Sequence, residues 1–176
     1  LRPADAVETA EAWRLAMAFK EGPSFLSLTR QNVPPLDRSE TPDPSGARRG
    51  GYIFREASGG NPKIILLASG SELHLAVEAR QQLEGDGIPT RVVSLMSWHL
   101  FSQQEVDYRQ QILPKEILAR VSVEACATLG WERWVGSAGR SVGLNHFGAS
   151  APSRSLFQEF GIHTNGIVTA AREVLS

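Results

Sequence analysis

The sequence is poor in the residues that build disulfides, metal centres and membrane spans. Cys126 is the only cysteine among 176 residues, so neither an intrachain disulfide nor a cysteine-based zinc site can form. The four histidines are scattered, and none pairs with another at metal-ligand spacing. No apolar run approaches the roughly 20 residues that cross a bilayer. We therefore expect no membrane partner, and the single cysteine fits a reducing, cytoplasmic setting.

An excess of charge of one sign is also missing. The formal net charge is -1, and the pair Arg48-Arg49 is too short to count as a basic tract. We therefore expect no nucleic-acid partner. Neither a signal peptide nor an initiator methionine is visible, so we expect the chain to belong to something longer.

Residues 33–51 have the composition of a linker, with four prolines, three glycines and no apolar periodicity. A helix is predicted over residues 3–21 and a short strand over residues 24–30, too little to form a domain alone. We predict that residues 1–32 are the tail of an upstream domain and that residues 52–176 form a complete domain.

The predicted helix over residues 3–21 carries one apolar face. Its members recur at helical spacing, namely Ala6, Ala10, Trp13 and Met17. Asp5 and Glu8 suit the positive end of the helix dipole. We expect this helix and the strand after it to complete a sheet that begins upstream.

After the linker, apolar runs alternate with amphipathic segments. Strands are predicted over residues 52–55, 63–68, 90–95, 119–125 and 141–147, and helices over residues 71–84, 102–112, 152–160 and 165–175. The first two strands are expected to form a hairpin. This alternation predicts the α/β class, as a three-layer α/β/α domain with a mostly parallel, mixed sheet.

The segment Ala68 to Glu72 has the outline of a phosphate cradle, because an apolar run ends in Ala-Ser-Gly-Ser-Glu and a helix follows. A helix starting at Ser71 would direct free N–H groups at an anion. The motifs Gly-x-Gly-x-x-Gly and Gly-Lys-Ser/Thr are both absent. We favour an ordinary strand-to-helix turn, with an anion site as the alternative.

Arg30 ends the predicted strand of residues 24–30. Open α/β sheets place ligands at the carboxyl ends of their strands, and a guanidinium binds phosphate through paired hydrogen bonds. A surface arginine is the alternative. Glu124 could serve as a general acid or base, although a role as hydrogen-bond acceptor for a nearby helix terminus is favoured. Cys126 is expected to be buried, and Trp131 and Trp134 are expected in an interface or a core.

Several motifs together resemble the transketolase family. They are "LTRQN" (28–32), "RGGY" (49–52), "ASGSE" (68–72), "LPKEILARVSVEA" (113–125) and "FGASAPSRSLFQEFG" (147–161). The resemblance covers the C-terminal end of the family's chain, which comprises the tail of the pyrimidine-binding domain and the whole C-terminal domain. The motif Phe-Gly-x-Ser-Ala-Pro is its most specific part.

The resemblance implies a homodimeric enzyme of the pentose phosphate pathway that uses thiamine diphosphate and Mg²⁺. Such an enzyme moves a two-carbon ketol unit from a ketose phosphate to an aldose phosphate. The family's cofactor, metal and catalytic residues lie upstream of Leu1, so none is assigned here and the chain alone is expected to be inactive. Arg30 matches the family's arginine that binds the substrate phosphate.

Two alternatives to this assignment stay open at the level of sequence. One is the last domain of another thiamine-diphosphate enzyme, such as a deoxyxylulose-phosphate synthase or a dehydrogenase β subunit. The other is a stand-alone interaction module. The Phe-Gly-x-Ser-Ala-Pro motif and the run from Arg30 to Asn32 argue against the first, and the incomplete segment of residues 1–32 argues against the second.

Overall fold

The computed structural model describes residues 1–176, except for the side chain of Pro44. The strands are β1 (Tyr52–Arg55), β2 (Ile64–Ala68), β3 (Thr90–Ser94), β4 (Arg120–Val123) and β5 (Arg140–Val142). The α-helices are α1 (Ala6–Ala18), α2 (Leu73–Gly85), α3 (Trp98–Ser102), α4 (Val106–Ile112), α5 (Glu132–Val135), α6 (Ser153–Glu159) and α7 (Thr164–Leu175).

The five strands form one sheet in the order β1-β3-β2-β4-β5. The pairs β2–β3, β2–β4 and β4–β5 are parallel, and β1 is antiparallel to β3. The predicted mostly parallel, mixed sheet is thereby confirmed.

The sheet lies between two helical layers. Alternate residues of β2 point to opposite faces, so Ile64 and Leu66 join a core with α2 and α7. Ile65 and Leu67 join a second core on the other face, with residues of α3, α4 and α5. All five residues of β2 are buried, as expected for a strand covered on both faces. The three-layer prediction is confirmed.

The predicted hairpin between the first two strands is wrong. Tyr52 lies opposite Ser94 and Ile53 opposite Val93, so β1 pairs with β3. Both sides of β2 are occupied by its parallel neighbours β3 and β4. The connection from β1 to β2 spans residues 56–63, which is longer than the roughly 2–5 residues of common hairpin loops. It can therefore carry the chain past β3.

Two predicted elements in the second half of the chain change their bounds. The single helix expected over residues 102–112 is divided into α3 and α4, because the hydroxyl of Ser97 accepts the N–H of Leu100 and starts a helix early. The strand expected over residues 141–147 ends at Val142.

The segment of residues 24–30, predicted as a strand, adopts no regular secondary structure. The N–H of Ser27 donates to the carbonyl of Leu1 at 2.9 Å, and the terminal ammonium of Leu1 donates to the carbonyl of Phe25 at 2.8 Å. A β-strand needs a continuous ladder of backbone hydrogen bonds to a neighbouring strand, whereas Leu1 alone supplies only these two hydrogen bonds.

Helix α1 begins at Ala6 because the Asp5 carboxylate accepts the N–H of Glu8 at 2.9 Å and caps it. Its buried residues are Glu8 and Ala12, whereas Trp13 is 53% exposed and Met17 65% exposed. The helix therefore turns its polar side to the domain and its apolar face away from it. Nowhere in the described part of the chain is a helix both long and apolar enough to cross a membrane.

Candidate functional site

The N-terminal segment, residues 1–5, crosses the sheet edge at which the parallel strands end. The N–H of Arg2 donates to the carbonyl of Met96, just after β3, at 2.8 Å. The N–H of Gly70, just after β2, donates to the carbonyl of Arg2 at 3.0 Å. The segment thus gives hydrogen-bond partners to backbone groups that the sheet leaves open at this edge.

The turn of Ala68 to Glu72 is filled by the side chain of Arg2. The Arg2 guanidinium donates to the carbonyl of Ser69, and its Nη2 lies 2.6 Å from Oε2 of Glu72. Gly70 has φ +64°, and a Cβ there would lie 2.5 Å from Nη1 of Arg2. The space that an anion would need is therefore taken by the chain's own arginine, which supports the structural interpretation of this turn.

Glu72 makes the same turn less favourable for an external anion. Its carboxylate is fully buried, and it accepts the Ser71 hydroxyl at 2.5 Å and the Ala125 N–H at 2.9 Å. It directly precedes α2, where a negative side chain offsets the positive end of the helix dipole. The start of α2 thus carries its own counter-charge.

Glu124 has a structural role in this edge. It accepts the indole N–H of Trp131 at 2.8 Å and lies 3.5 Å from Nε of Arg2. Trp131 is buried and packs edge-on against Trp98, with ring centroids 4.9 Å apart, and Trp134 is buried beside them. Glu124 is a structural acceptor, but its donor is an indole side chain and not the helix terminus that was expected. The expectation that the tryptophans lie in an interface or a core is confirmed for the core.

The expectation that Cys126 is buried is wrong, because its side chain is exposed. The N–H of Cys126 donates to the carbonyl of Glu124 at 2.8 Å, and its carbonyl accepts the N–H of Leu144 at 2.8 Å. These bonds turn the chain away from the sheet directly after β4, so the thiol does not enter the core.

A cavity of about 170 Å³ lies at this edge and brings two sequence candidates together. Its lining residues include Arg30 and Gln31, together with Arg2, the turn of Gly70 to Glu72 and Phe157. Arg30 is exposed. Pockets for whole drug-sized ligands span roughly 300–1,000 Å³, so this one suits a small group such as a phosphate.

Arg30 supplies the positive charge that an anionic ligand can meet in this cavity. The positive charge of Arg2 is cancelled by Glu72, whereas no carboxylate of the described residues forms an ion pair with Arg30. A free guanidinium offers a planar fork of donors that matches two oxygens of a phosphate. The arrangement can therefore bind one anionic group through Arg30.

A second buried acid ties α1 to the sheet and was missed by the sequence analysis, which assigned Glu8 to the helix dipole. The Glu8 carboxylate accepts the hydroxyl of Tyr52 at 2.8 Å, the hydroxyl of Ser94 at 2.6 Å and the N–H of Ala4 at 2.8 Å. Burial raises the pKa of Glu8, against the opposing effect of these hydrogen bonds and of Arg38. The pair Asp5 and Glu8 at capping-box spacing was the available signal.

We predict that the unfolding free energy of the native chain falls, relative to that of the Glu8→Gln variant, as the pH rises above about 4.5. The pKa of Glu8 is raised in the folded chain above its ordinary 4.5. Its contribution to stability is therefore complete below that pH and is lost as the pH passes through the folded-state value. Urea titrations of both proteins between about pH 4 and pH 8 measure this difference.

Glu11→Gln is the matched control on the same helix. The hydrogen bond from Arg48 lowers the pKa of Glu11, so its contribution is present above the ordinary pKa and is lost as the pH falls. The two variants should diverge from the native chain in opposite directions. If the difference in unfolding free energy between the native chain and Glu8→Gln stays constant with pH, the raised pKa of Glu8 is contradicted.

Comparison with known proteins identifies relatives along the whole chain. The family model "Transketolase-like TK C-terminal domain" matches residues 50–163. "Transketolase 10" of Craterostigma plantagineum is 47% identical over 176 residues, which cover 99% of this chain and 26% of that protein. Several other plant relatives carry the name chloroplastic. The chain spans about a quarter of the length of the curated relatives it matches.

Solved structures share the fold at the same coverage. Transketolase from Leishmania mexicana superimposes with a TM-score of 0.90 at 38% identity, covering 99% of this chain and 24% of that one. A transketolase from Pichia stipitis, described as a complex with sedoheptulose-7-phosphate, gives a TM-score of 0.87 at 37% identity, covering 99% of this chain and 25% of that one.

Proposed function

The chain belongs to the transketolase family, as its C-terminal part, and from this we propose that it completes an enzyme that transfers a two-carbon ketol unit from a ketose phosphate to an aldose phosphate. The observation that carries the proposal for this chain is the position of Arg30 at a cavity sized for a phosphate, with no ion pair to any carboxylate of the described residues. The relative from Pichia stipitis, described with a sugar phosphate, supports the substrate class.

Thiamine diphosphate and Mg²⁺ are proposed to bind the complete enzyme outside this chain. The described residues contain no group of three or more His, Cys, Asp or Glu that could hold a metal ion. The one turn with the outline of a phosphate cradle is filled by Arg2. The described residues therefore do not fit the cofactor.

We propose that Arg30 binds the substrate phosphate and thereby orients the substrate. The phosphate lies at the far end of a sugar from its reacting carbonyl. Binding energy gained there can hold the carbonyl in a productive position, which raises the rate of transfer. Arginine suits this role because its planar fork can engage two phosphate oxygens at once, whereas a lysine ammonium acts as a point charge.

Replacing Arg30 with glutamine in the complete enzyme should reduce its preference for phosphorylated substrate. Hydrogen bonds to charged groups contribute about 1.5–3 kcal/mol, so the ratio of kcat/KM for a ketose phosphate to kcat/KM for the same ketose without phosphate should fall about 10- to 100-fold. Steady-state kinetics with the two donors measures this ratio. Arg30→Lys should restore only part of it, because it lacks the fork.

Arg154→Gln is the control, since Arg154 is an exposed arginine on α6. It should leave the ratio unchanged. The 176-residue chain on its own, supplied with thiamine diphosphate and Mg²⁺, should give no turnover above the blank. An Arg30→Gln enzyme with an undiminished preference for the phosphate would overturn the assignment of Arg30.

The exposed apolar residues near the N-terminus support the domain division that the linker composition of residues 33–51 predicts. Trp13, Met17 and Phe25 are exposed although they are large and apolar. Trp13 and Met17 lie four positions apart on α1 and so form one exposed apolar face, of the kind that another part of a protein covers. We propose that residues 1–32 belong to the upstream pyrimidine-binding domain, that residues 33–51 are the linker, and that residues 52–176 are the C-terminal domain.

We also propose that the complete enzyme is a cytoplasmic homodimer of the pentose phosphate pathway. The single cysteine suits a reducing compartment, and the relatives described above all carry the name transketolase. That name favours this function over a deoxyxylulose-phosphate synthase, a dehydrogenase β subunit or a stand-alone interaction module. Sedimentation equilibrium and cell fractionation test the assembly and the location.

A further inference from the structure

We propose that Arg2 is a positioning residue for Arg30, because its ion pair with Glu72 keeps that carboxylate from capturing the Arg30 guanidinium. This inference rests on the proposed binding of the substrate phosphate by Arg30. It assigns a part in substrate recognition to a residue that does not itself contact the phosphate.

The first support is that both arginines and Glu72 line one small cavity. Glu72 is fully buried, and its Oε2 lies 2.6 Å from Nη2 of Arg2. No other cation of the described residues forms an ion pair with Glu72. Arg2 is therefore the sole counter-charge of a buried carboxylate that shares its cavity with Arg30.

The second support is the cost of leaving such a carboxylate unpaired. Removing one partner of a buried ion pair leaves an uncompensated charge, which strongly favours any new partner within reach. Without Arg2, the lining cation that remains is Arg30. Its guanidinium would then pair with Glu72 and would no longer be available to the phosphate.

The third support is the backbone of the N-terminal segment. Arg2 is hydrogen-bonded to Met96 and Gly70 on the domain side, and Leu1 is hydrogen-bonded to Phe25 and Ser27 on the other. The stretch that leads to Arg30 is thus attached to the sheet edge through residues 1 and 2. Arg2 therefore has two roles: its backbone helps to attach this stretch to the sheet, and its side chain neutralises Glu72.

The test compares three variants of the complete enzyme, Arg2→Gln, Glu72→Gln and the double variant Arg2→Gln/Glu72→Gln. The apparent affinity for the phosphate is proportional to the fraction of molecules in which Arg30 is free to bind it. If Arg30 pairs with Glu72 in about four fifths of the Arg2→Gln molecules, KM for the ketose phosphate should rise about fivefold. The change should lie in KM more than in kcat, and it should be absent with the ketose that lacks phosphate.

The double variant separates positioning from simple structural damage. It lacks the same Arg2 contacts as Arg2→Gln but also lacks the competing carboxylate, so KM for the ketose phosphate should return to within about twofold of the native value. Arg14→Gln, at an exposed arginine on α1, is the control for loss of an arginine. Thermal unfolding of each variant shows whether it is folded at the assay temperature.

A double variant as impaired as Arg2→Gln, with both folded, would overturn the inference, and so would an Arg2→Gln enzyme with native KM. If Arg2→Gln does not fold, the double variant alone decides, because a raised KM in it contradicts the proposal and a native KM supports it. If the proposed function itself is wrong, a different result is expected: the Arg30→Gln enzyme keeps its preference for the phosphorylated substrate.

Discussion

Replacing Trp131 with alanine should lower the free energy of unfolding by about 3–5 kcal/mol, the usual cost of removing a large aromatic side chain from a core. Trp131 is 1% exposed and packs on Trp98 at a centroid distance of 4.9 Å. Its indole N–H also donates to Glu124, which lies beside Arg2. The substitution therefore opens a cavity and removes the hydrogen-bond donor to Oε2 of the partly buried Glu124 carboxylate.

Urea unfolding of the 176-residue chain measures this effect, with Trp13→Ala as the matched control. Trp13 is 53% exposed on α1, so its replacement should change the unfolding free energy by no more than about 0.5 kcal/mol in this chain. Trp131→Phe, which keeps most of the packing and removes the N–H, should fall between the two. Equal effects of Trp131→Ala and Trp13→Ala would contradict the assigned core.

Replacing Glu8 with alanine should lower the free energy of unfolding by about 2–4 kcal/mol at neutral pH, since each buried donor left without an acceptor costs about 1–3 kcal/mol. The substitution orphans the hydroxyls of Tyr52 and Ser94 and the N–H of Ala4. Relief from burying a carboxylate whose pKa is raised offsets part of that cost.

Glu11→Ala is the appropriate comparison for this second effect. Glu11 lies on the same helix and also has charged partners, but Arg14 and Arg48 are both more than half exposed. Exposed ion pairs contribute about 0–1 kcal/mol, so the loss should be several-fold smaller than for Glu8→Ala. A loss with Glu8→Ala that is no larger than with Glu11→Ala would show that the buried cluster does not stabilise the docking of α1.

Several strand and helix positions within residues 52–176, among them β2 and α7, could be inferred from local composition. β2 is an uninterrupted apolar run, and α2 follows it. A strand of this composition is stable where other elements cover both faces of the sheet. The last helix, α7, has its stripe of Ile167 and Ala171 buried as its spacing predicts. These features depend on neighbours within one turn or one strand, so the sequence contains them directly.

The orientation of α1 could not be inferred in the same way. Its apolar face was visible in the sequence, but the domain instead contacts the side that carries Glu8 and Ala12. A polar residue becomes a buried one when distant groups satisfy it, and here these are Tyr52 and Ser94. Periodicity records where apolar residues lie and does not record which neighbour each face meets.

Arg30 could be chosen as a candidate from its place in the chain, whereas its surroundings required the folded molecule. The sequence alone supports the α/β class, the family resemblance and the order of the elements, because each rests on local pattern or on motifs. Three features could be seen only in the folded structure: the strand order, the occupation of the turn at Gly70 by Arg2, and the ion pair of Arg2 with Glu72. Arg2 and Glu72 are 70 positions apart, and a contact across such a separation leaves no periodic signal, since the topology of the sheet creates it.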